Sequence, residues 1–318
     1  MPTKSSSPAA VPCQNLGCWI AQAIETEPPR SKSLVVTVLG DSIAPHGGEI
    51  WLGNLIALME PFKLSDRLVR TSVFRLAEEG WIESRREGRR ASYALTTSGR
   101  KRFEHAHKRI YTPPVQTWNG RWTLVLSPRN SGEFDRVELR RELAWQGFAV
   151  VGQGLLAHPA PDRAALKEIL VSLDLLDKVF VLEATELPGF GARPAQDLVS
   201  QCWNLDGLAQ TYRSFLAQFE PMLAALRGKQ APDALEAFQV RTLLIHAFRR
   251  AILHDPQLPA EILPADWPGG RAYDLCRELY ALSSRQAEVY LASMLGTRKE
   301  PLPPAEAYFF KRFGGISL

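Results

Sequence analysis

Between Ser65 and Glu79 apolar residues recur every three to four positions, which puts Leu68, Val69, Val73 and Leu76 on one face of a helix. Arg67, Arg70, Thr71, Phe74 and Arg75 fall on the other face. Ser65 is positioned to cap this helix, and Asp66 lies in the first turn, where the helix dipole favours negative charge. Gly80 ends it. Trp81-Ile82 then opens a short apolar strand, a cationic turn runs from Arg85 to Arg90, and Ala91 to Leu95 alternates back as a second strand. Two helices are expected upstream. Leu34, Val35, Val38 and Leu39 form the buried stripe of the first. The second runs from about Glu49 to Met59 and buries Ile50, Leu55, Ile56 and Leu58. Three helices followed by a two-stranded wing is the winged helix-turn-helix plan. A further basic helix spans Thr97 to Tyr111.

At Thr112-Pro113-Pro114 the period changes. Strands are expected at Arg121–Leu126, Phe148–Val151, Gly154–Ala157 and Lys178–Ala184, with helices at Gly132–Gln146 and Asp162–Leu173. The order β-α-β-β-α-β is that of a ferredoxin-like unit. Beyond Pro188 only helical patterns remain: Ala195–Leu226, Asp233–Leu253, Arg271–Leu295 and Pro304–Phe313. The expected fold class is therefore α+β and multidomain. A disordered tail (1–30, with one short helix around Gly17–Thr26) precedes a winged helix-turn-helix domain (31–111), a ferredoxin-like domain (115–188) and an all-helical domain (194–318).

Charge changes the picture most. The net charge of +4 over 318 residues is unremarkable until it is divided. Between Ser31 and Tyr111 there are 14 Lys and Arg against 9 Asp and Glu, and from Arg85 to Arg109 there are 9 against 2. A solvated basic face is the ordinary reading of such a run. On a helix followed by a wing, DNA binding is the better one. Arg67, Arg70, Thr71 and Arg75 are then candidates for reading base edges, and Arg85, Arg86, Arg89 and Arg90 for gripping backbone or minor groove. Phe74 on the polar face has two readings, contact with a thymine methyl or folding back onto the wing.

Enzyme chemistry finds little support. There is no nucleophile elbow, phosphate-binding loop or His-Glu-x-x-His. Gly152-Gln153-Gly154 and Gly189-Phe190-Gly191 read as turns. His105 and His107, two apart on a helix, make a poor metal pair. Four cysteines (Cys13, Cys18, Cys202 and Cys276) are too few for a disulfide scaffold and are expected as reduced thiols. No cofactor or metal is expected, no segment has the length and apolarity of a membrane span, and the expected location is cytoplasmic. His246, Arg249 and Arg250 come to neighbouring azimuths on a helix and can hold phosphate or carboxylate through charge-assisted hydrogen bonds. The competing reading is a solvated or salt-bridged face.

Several stretches resemble the PaaX family, repressors of phenylacetate-degradation operons: SLVVTVLGDSIAPHGGEIWLGNLIALM, LVRTSVFRLAEEGWI, NGRWTLVL, ELAWQGFAVVGQGLLAHP and RTLLIHAFRRAILHDPQLPAEILPADWPG. The likeness spans roughly residues 33–313. It implies a homodimer that binds a palindromic double-stranded operator, represses aromatic catabolism genes and is released by an aryl-CoA effector, phenylacetyl-CoA. Two other readings stay open: a related regulator answering to a different aromatic acid or acyl-CoA, and an enzyme acting on nucleic acid or CoA thioesters.

Overall fold

The computed structural model describes residues 15–87, 90–113, 117–128, 134–187, 189, 193–227, 232–297 and 301–316, with the side chains of residues 86, 87 and 90 left out. The fold is mixed α and β. The short helix expected around Gly17–Thr26 within the extension is present as α1 (Leu16–Thr26), capped by the Asn15 side chain, which accepts from the Cys18 amide at 2.8 Å. Ile20, Ala23 and Ile24 are buried, so this segment is attached rather than loose. Cys18 is disulfide-bonded, against the reduced thiol expected, whereas Cys202 and Cys276 are free.

Helix α2 (Ser31–Val38) runs into a π-helical turn at Leu39–Ile43 and a 3-10 turn at Ala44–His46. Gly47 and Gly48 then reverse the chain with φ of 94° and 75°, a region that glycine enters without a Cβ penalty. The helix expected from Glu49 is corrected here. Glu49–Trp51 is strand β1, and α3 covers only Leu52–Met59. The reason is pairing, since Ile50 sits opposite Tyr93 in an antiparallel ladder. Helix α4 (Asp66–Glu78), strands β2 (Ile82–Glu87) and β3 (Arg90–Leu95), and helix α5 (Thr97–Tyr111) follow, with sheet order β1-β3-β2.

The middle of the chain forms β4 (Trp122–Leu126), α6 (Arg136–Trp145), β5 (Ala149–Gly152), β6 (Leu155–His158), α7 (Arg163–Ser172) and β7 (Phe180–Ala184). The sheet order is β5-β6-β4-β7 and every pair is antiparallel. Alternation divides its side chains between two cores. Val125 and Leu156 pack with Leu139, Leu143, Leu166 and Leu170 of the two helices. On the opposite face Trp122 and Ala157 pack with Val199, Trp203 and Leu258.

Helices α8 (Ala195–Cys202), α9 (Leu205–Arg227), α10 (Ala234–Ile252) and α11 (Gly269–Leu295) complete the regular structure. The single helix expected over Ala195–Leu226 is broken at Trp203, whose backbone is extended and whose indole N–H donates to the Gly147 carbonyl at 2.8 Å. The helix expected over Pro304–Phe313 is replaced by a 3-10 stretch at Phe309–Gly314: the Glu306 amide donates to the Pro45 carbonyl rather than within a helix, and Arg312 and Phe313 have non-helical backbone, Phe313 with φ of 54°. The chain divides into two compact units. One comprises Met1–His107, Ala217–His246 and Leu275–Leu318, the other Lys108–Leu216 and Ala247–Asp274. No helix among the described residues is long and apolar enough to cross a membrane.

Candidate nucleic-acid interface

The outer face of α4 is built by its inner one. Val69, Ser72, Val73 and Leu76 are buried, and the Ser65 hydroxyl accepts from the Leu68 amide at the helix start. Leu68 departs from the expected stripe: it is 49% exposed, and Ser72 takes the buried position instead. The Ser72 hydroxyl donates to the Leu68 carbonyl and meets the Ser31 hydroxyl, each at 2.8 Å, which satisfies it inside the packed face.

Arg67, Arg70, Thr71, Phe74 and Arg75 all point outward. Phe74 is 63% exposed, so it is not folded away against the hairpin. Arg70 is held 2.5 Å from Asp66, one turn earlier, with both side chains open to solvent. Such an exposed pair stabilises little and yields readily to another anion. The Thr71 hydroxyl donates to the Arg67 carbonyl at 2.8 Å and keeps its lone pairs as acceptors.

The β2–β3 hairpin sets Arg86 opposite Ala91 and Glu87 opposite Arg90. Arg85 is exposed and paired with Glu83 and Glu49 at 3.0 and 3.4 Å. For Arg86 and Arg90 only the backbone is described, and Arg89 lies outside the described residues.

The three candidate effector residues are differently placed. His246 belongs to the first unit, is 8% exposed and meets the Thr37 hydroxyl through Nδ1 at 3.1 Å. Arg249 and Arg250 belong to the second. Burial pushes the Arg249 guanidinium down from its ordinary value, with Tyr111 acting the other way, while Arg250 is exposed. Among the described residues no group of three or more His, Cys, Asp and Glu is arranged to hold a metal ion.

Comparison with known proteins gives this arrangement a family. Residues 30–99 match the PaaX-like protein family, 115–199 match the PaaX protein central Cas2-like domain, and 203–293 match the PaaX-like protein C-terminal domain. The chain is 35% identical over 307 residues to the Escherichia coli transcriptional repressor PaaX, covering 95% of this chain and 96% of that protein. This chain belongs to the PaaX family. An uncharacterized protein from Mycobacterium tuberculosis shares the fold, with a TM-score of 0.51 at 21% identity over 81% of this chain and 97% of that one.

The chain also contains a buried ionic network that sequence reading missed. Arg241 of α10 has no exposed surface. It approaches Asp41 at 3.1 Å, Glu288 of α11 at 2.6 Å and the Ser42 hydroxyl at 3.1 Å. Arg312, equally buried, donates to the Asp41 carboxylate at 3.0 Å and to the Tyr280 hydroxyl. His46 meets Glu288 at 2.9 Å and the Pro303 carbonyl at 2.6 Å. Burial works against the Glu288 carboxylate, but Arg241 and His46 outweigh it and hold the group at about 2. Asp41 reaches this cluster because it lies in the π-helical turn after α2, a distortion frequent at functional sites. In the sequence its one local signal is a carboxylate set between apolar neighbours, Leu39 on one side and Ile43 on the other.

Proposed function

We propose that this chain is a transcriptional repressor of aromatic, phenylacetate-type catabolism genes, a regulator rather than an enzyme. It binds a double-stranded operator as a winged helix-turn-helix protein, with α4 in the major groove and the β2–β3 hairpin as the wing. The observation that carries this reading is the capped, well-packed α4, which turns three arginines, a threonine and an exposed phenylalanine outward on one face. The name and extent of the Escherichia coli relative support the same role. Arg67, Arg70, Thr71, Phe74 and Arg75 read bases; Arg85, Arg86, Arg89 and Arg90 hold phosphates.

The proposed domain limits are 31–111 for the DNA reader, 115–188 for a ferredoxin-like domain and 194–318 for a helical effector and dimerisation domain. The strand order β5-β6-β4-β7, all antiparallel, supports the ferredoxin-like reading. A homodimer is supported by β7, an edge strand that exposes Phe180, Val181 and Leu182 and has no strand on its outer side among the described residues. The protein acts in the cytoplasm, where its operator is.

The effector in this reading is an aryl-CoA thioester, phenylacetyl-CoA, which releases the repressor by binding the DNA-free state more tightly. Electrophoretic mobility shift on the DNA upstream of the gene encoding this chain, with and without phenylacetyl-CoA, tests both parts. A saturable shift that the thioester reverses is expected. Absence of any shift contradicts the repressor reading, and a shift unchanged at saturating thioester contradicts the effector.

A further inference from the structure

The chain enters α4 through a tight turn. A 3-10 turn at Glu60–Phe62 follows α3, and Lys63 closes it with φ of 59°, its amide donating to the Glu60 carbonyl at 2.9 Å. Ser65, the cap of α4, comes two residues later. A positive φ is uncommon for a residue with a Cβ, so such a turn persists where its surroundings hold it.

Two adjacent residues of α10 do the holding, within the first unit. The Gln239 side-chain amide donates to the Pro61 carbonyl at 2.9 Å. The Phe238 ring meets the Phe62 ring edge-on with centroids 5.8 Å apart, and both rings are buried. Tyr290 of α11 stacks on Phe238 at 5.0 Å. This part of α10 is itself fixed. Arg241, two residues on, is bound to Asp41 and Glu288, and His246 meets Thr37 of α2. The remaining tie on the turn is weaker. Glu25 of α1 pairs with Lys63 at 2.6 Å, but both side chains are open to solvent, and such a pair stabilises little.

We propose that Gln239 is a positioning residue for DNA reading. Through the Pro61 carbonyl it sets the direction in which α4 leaves its turn, and so the placement of Arg67, Arg70 and Thr71 on base edges. Phe62 and Phe238 supply apolar packing, which tolerates sliding; the hydrogen bond supplies direction, because it weakens steeply off its axis. Contacts to base edges carry the sequence discrimination, whereas phosphate attraction carries none. Loosening the turn therefore costs affinity for the operator and spares affinity for unrelated DNA. The inference rests on the reading of α4 as the DNA-binding helix.

The test separates the two claims. Gln239→Leu removes the donor and keeps most of the volume, and Gln239→Glu keeps the length but turns an acceptor toward the Pro61 carbonyl. Glu25→Gln is the control at the exposed tie, and Arg70→Ala tests the reading of α4. Full-length proteins are compared by fluorescence anisotropy on operator and scrambled duplexes, with thermal melts alongside. Both Gln239 variants are expected to melt as the wild type, to bind scrambled DNA equally well and to lose about fivefold on the operator, the worth of one ordinary hydrogen bond. Glu25→Gln should match the wild type on both duplexes. Hydrogen exchange of the DNA-free chain gives a second reading: amides of residues 63–69 should exchange several-fold faster in Gln239→Leu, and those of α11 at the wild-type rate. The inference is overturned if both variants keep wild-type operator affinity, if they weaken on both duplexes alike, or if their loss follows a lowered melt. Unchanged exchange over 63–69 overturns it as well. Undiminished operator binding by Arg70→Ala overturns the reading of α4 and the positioning role together, whereas a loss in Arg70→Ala with none in the Gln239 variants overturns the positioning role alone.

Discussion

Arg241 and Asp41 stand 3.1 Å apart in the interior, the arginine with no exposed side-chain surface and the aspartate with 2%. Two hundred residues separate them in sequence, and each is shared, Arg241 with Glu288 and Asp41 with Arg312. Removing one member of such a cluster leaves uncompensated charge in a low-dielectric site, which typically costs about 3–5 kcal/mol. Arg241→Met is therefore expected to destabilise the chain by about that amount in urea denaturation, with loss of DNA binding following from unfolding. Stability within 1 kcal/mol of wild type, about the worth of an exposed pair, would contradict the network's place in the core.

Gly99 makes a second, purely steric prediction. It lies in the first turn of α5, where a Cβ would stand 2.0 Å from the Trp81 carbonyl oxygen. The surroundings hold it there: its amide donates to the Thr96 hydroxyl at 2.9 Å, and that hydroxyl donates to the Gly80 carbonyl at 2.6 Å. Gly99→Ala must move backbone rather than a side-chain tip, so a destabilisation toward the upper end of the about 1–3 kcal/mol of overpacking is expected. A melting temperature unchanged from wild type would show that the corner is looser than described.

His158 sets a pH dependence. Its Nε2–H donates to the Pro256 carbonyl at 2.8 Å and its Nδ1 accepts from the Ala160 amide at 3.0 Å, which fits only the neutral ring. Burial pushes its pKa down to about 4 from the ordinary 6.5, against the Pro256 bond, and His107 is lowered to about 4 by burial and by Arg312. The unfolded chain thus binds these protons more readily. The stability they contribute is complete above about pH 6.5 and is lost as pH falls toward 4. Urea midpoints should decline across that window; a flat or rising profile would count against the buried neutral rings.

Much of the fold is readable from the chain, for identifiable reasons. The α4 helix carries its own signals, a cap at Ser65, a 3.6-residue stripe and a stop at Gly80, so local pattern suffices. The strand and helix order from β4 to β7 is legible for the same reason. Strand β1 is not, because three residues are too few to show alternation and their partner, β3, lies some 40 residues away. Leu68 leaves the stripe its spacing suggests because a serine, Ser72, can take the buried position once its hydroxyl finds the Leu68 carbonyl and Ser31. Asp41, Arg241, Glu288 and Arg312 form a site only through tertiary packing, and no periodicity relates them. The bond from Gln239 to Pro61 is hidden in the sequence for the same reason, its partners lying 178 residues apart.

The central claim is that α4 reads an operator while the hairpin holds its backbone. Fluorescence anisotropy of wild-type, Arg70→Ala and Arg89→Ala/Arg90→Ala proteins, on operator and scrambled duplexes over a range of salt, tests it most directly. Arg70→Ala should weaken operator binding by about 1–3 kcal/mol and scrambled DNA little, so that discrimination collapses. The hairpin variant should weaken on both duplexes alike and lower the salt slope by about 1 for each phosphate it no longer neutralises. Equal weakening on operator and scrambled DNA for both variants would contradict this division between α4 and the hairpin.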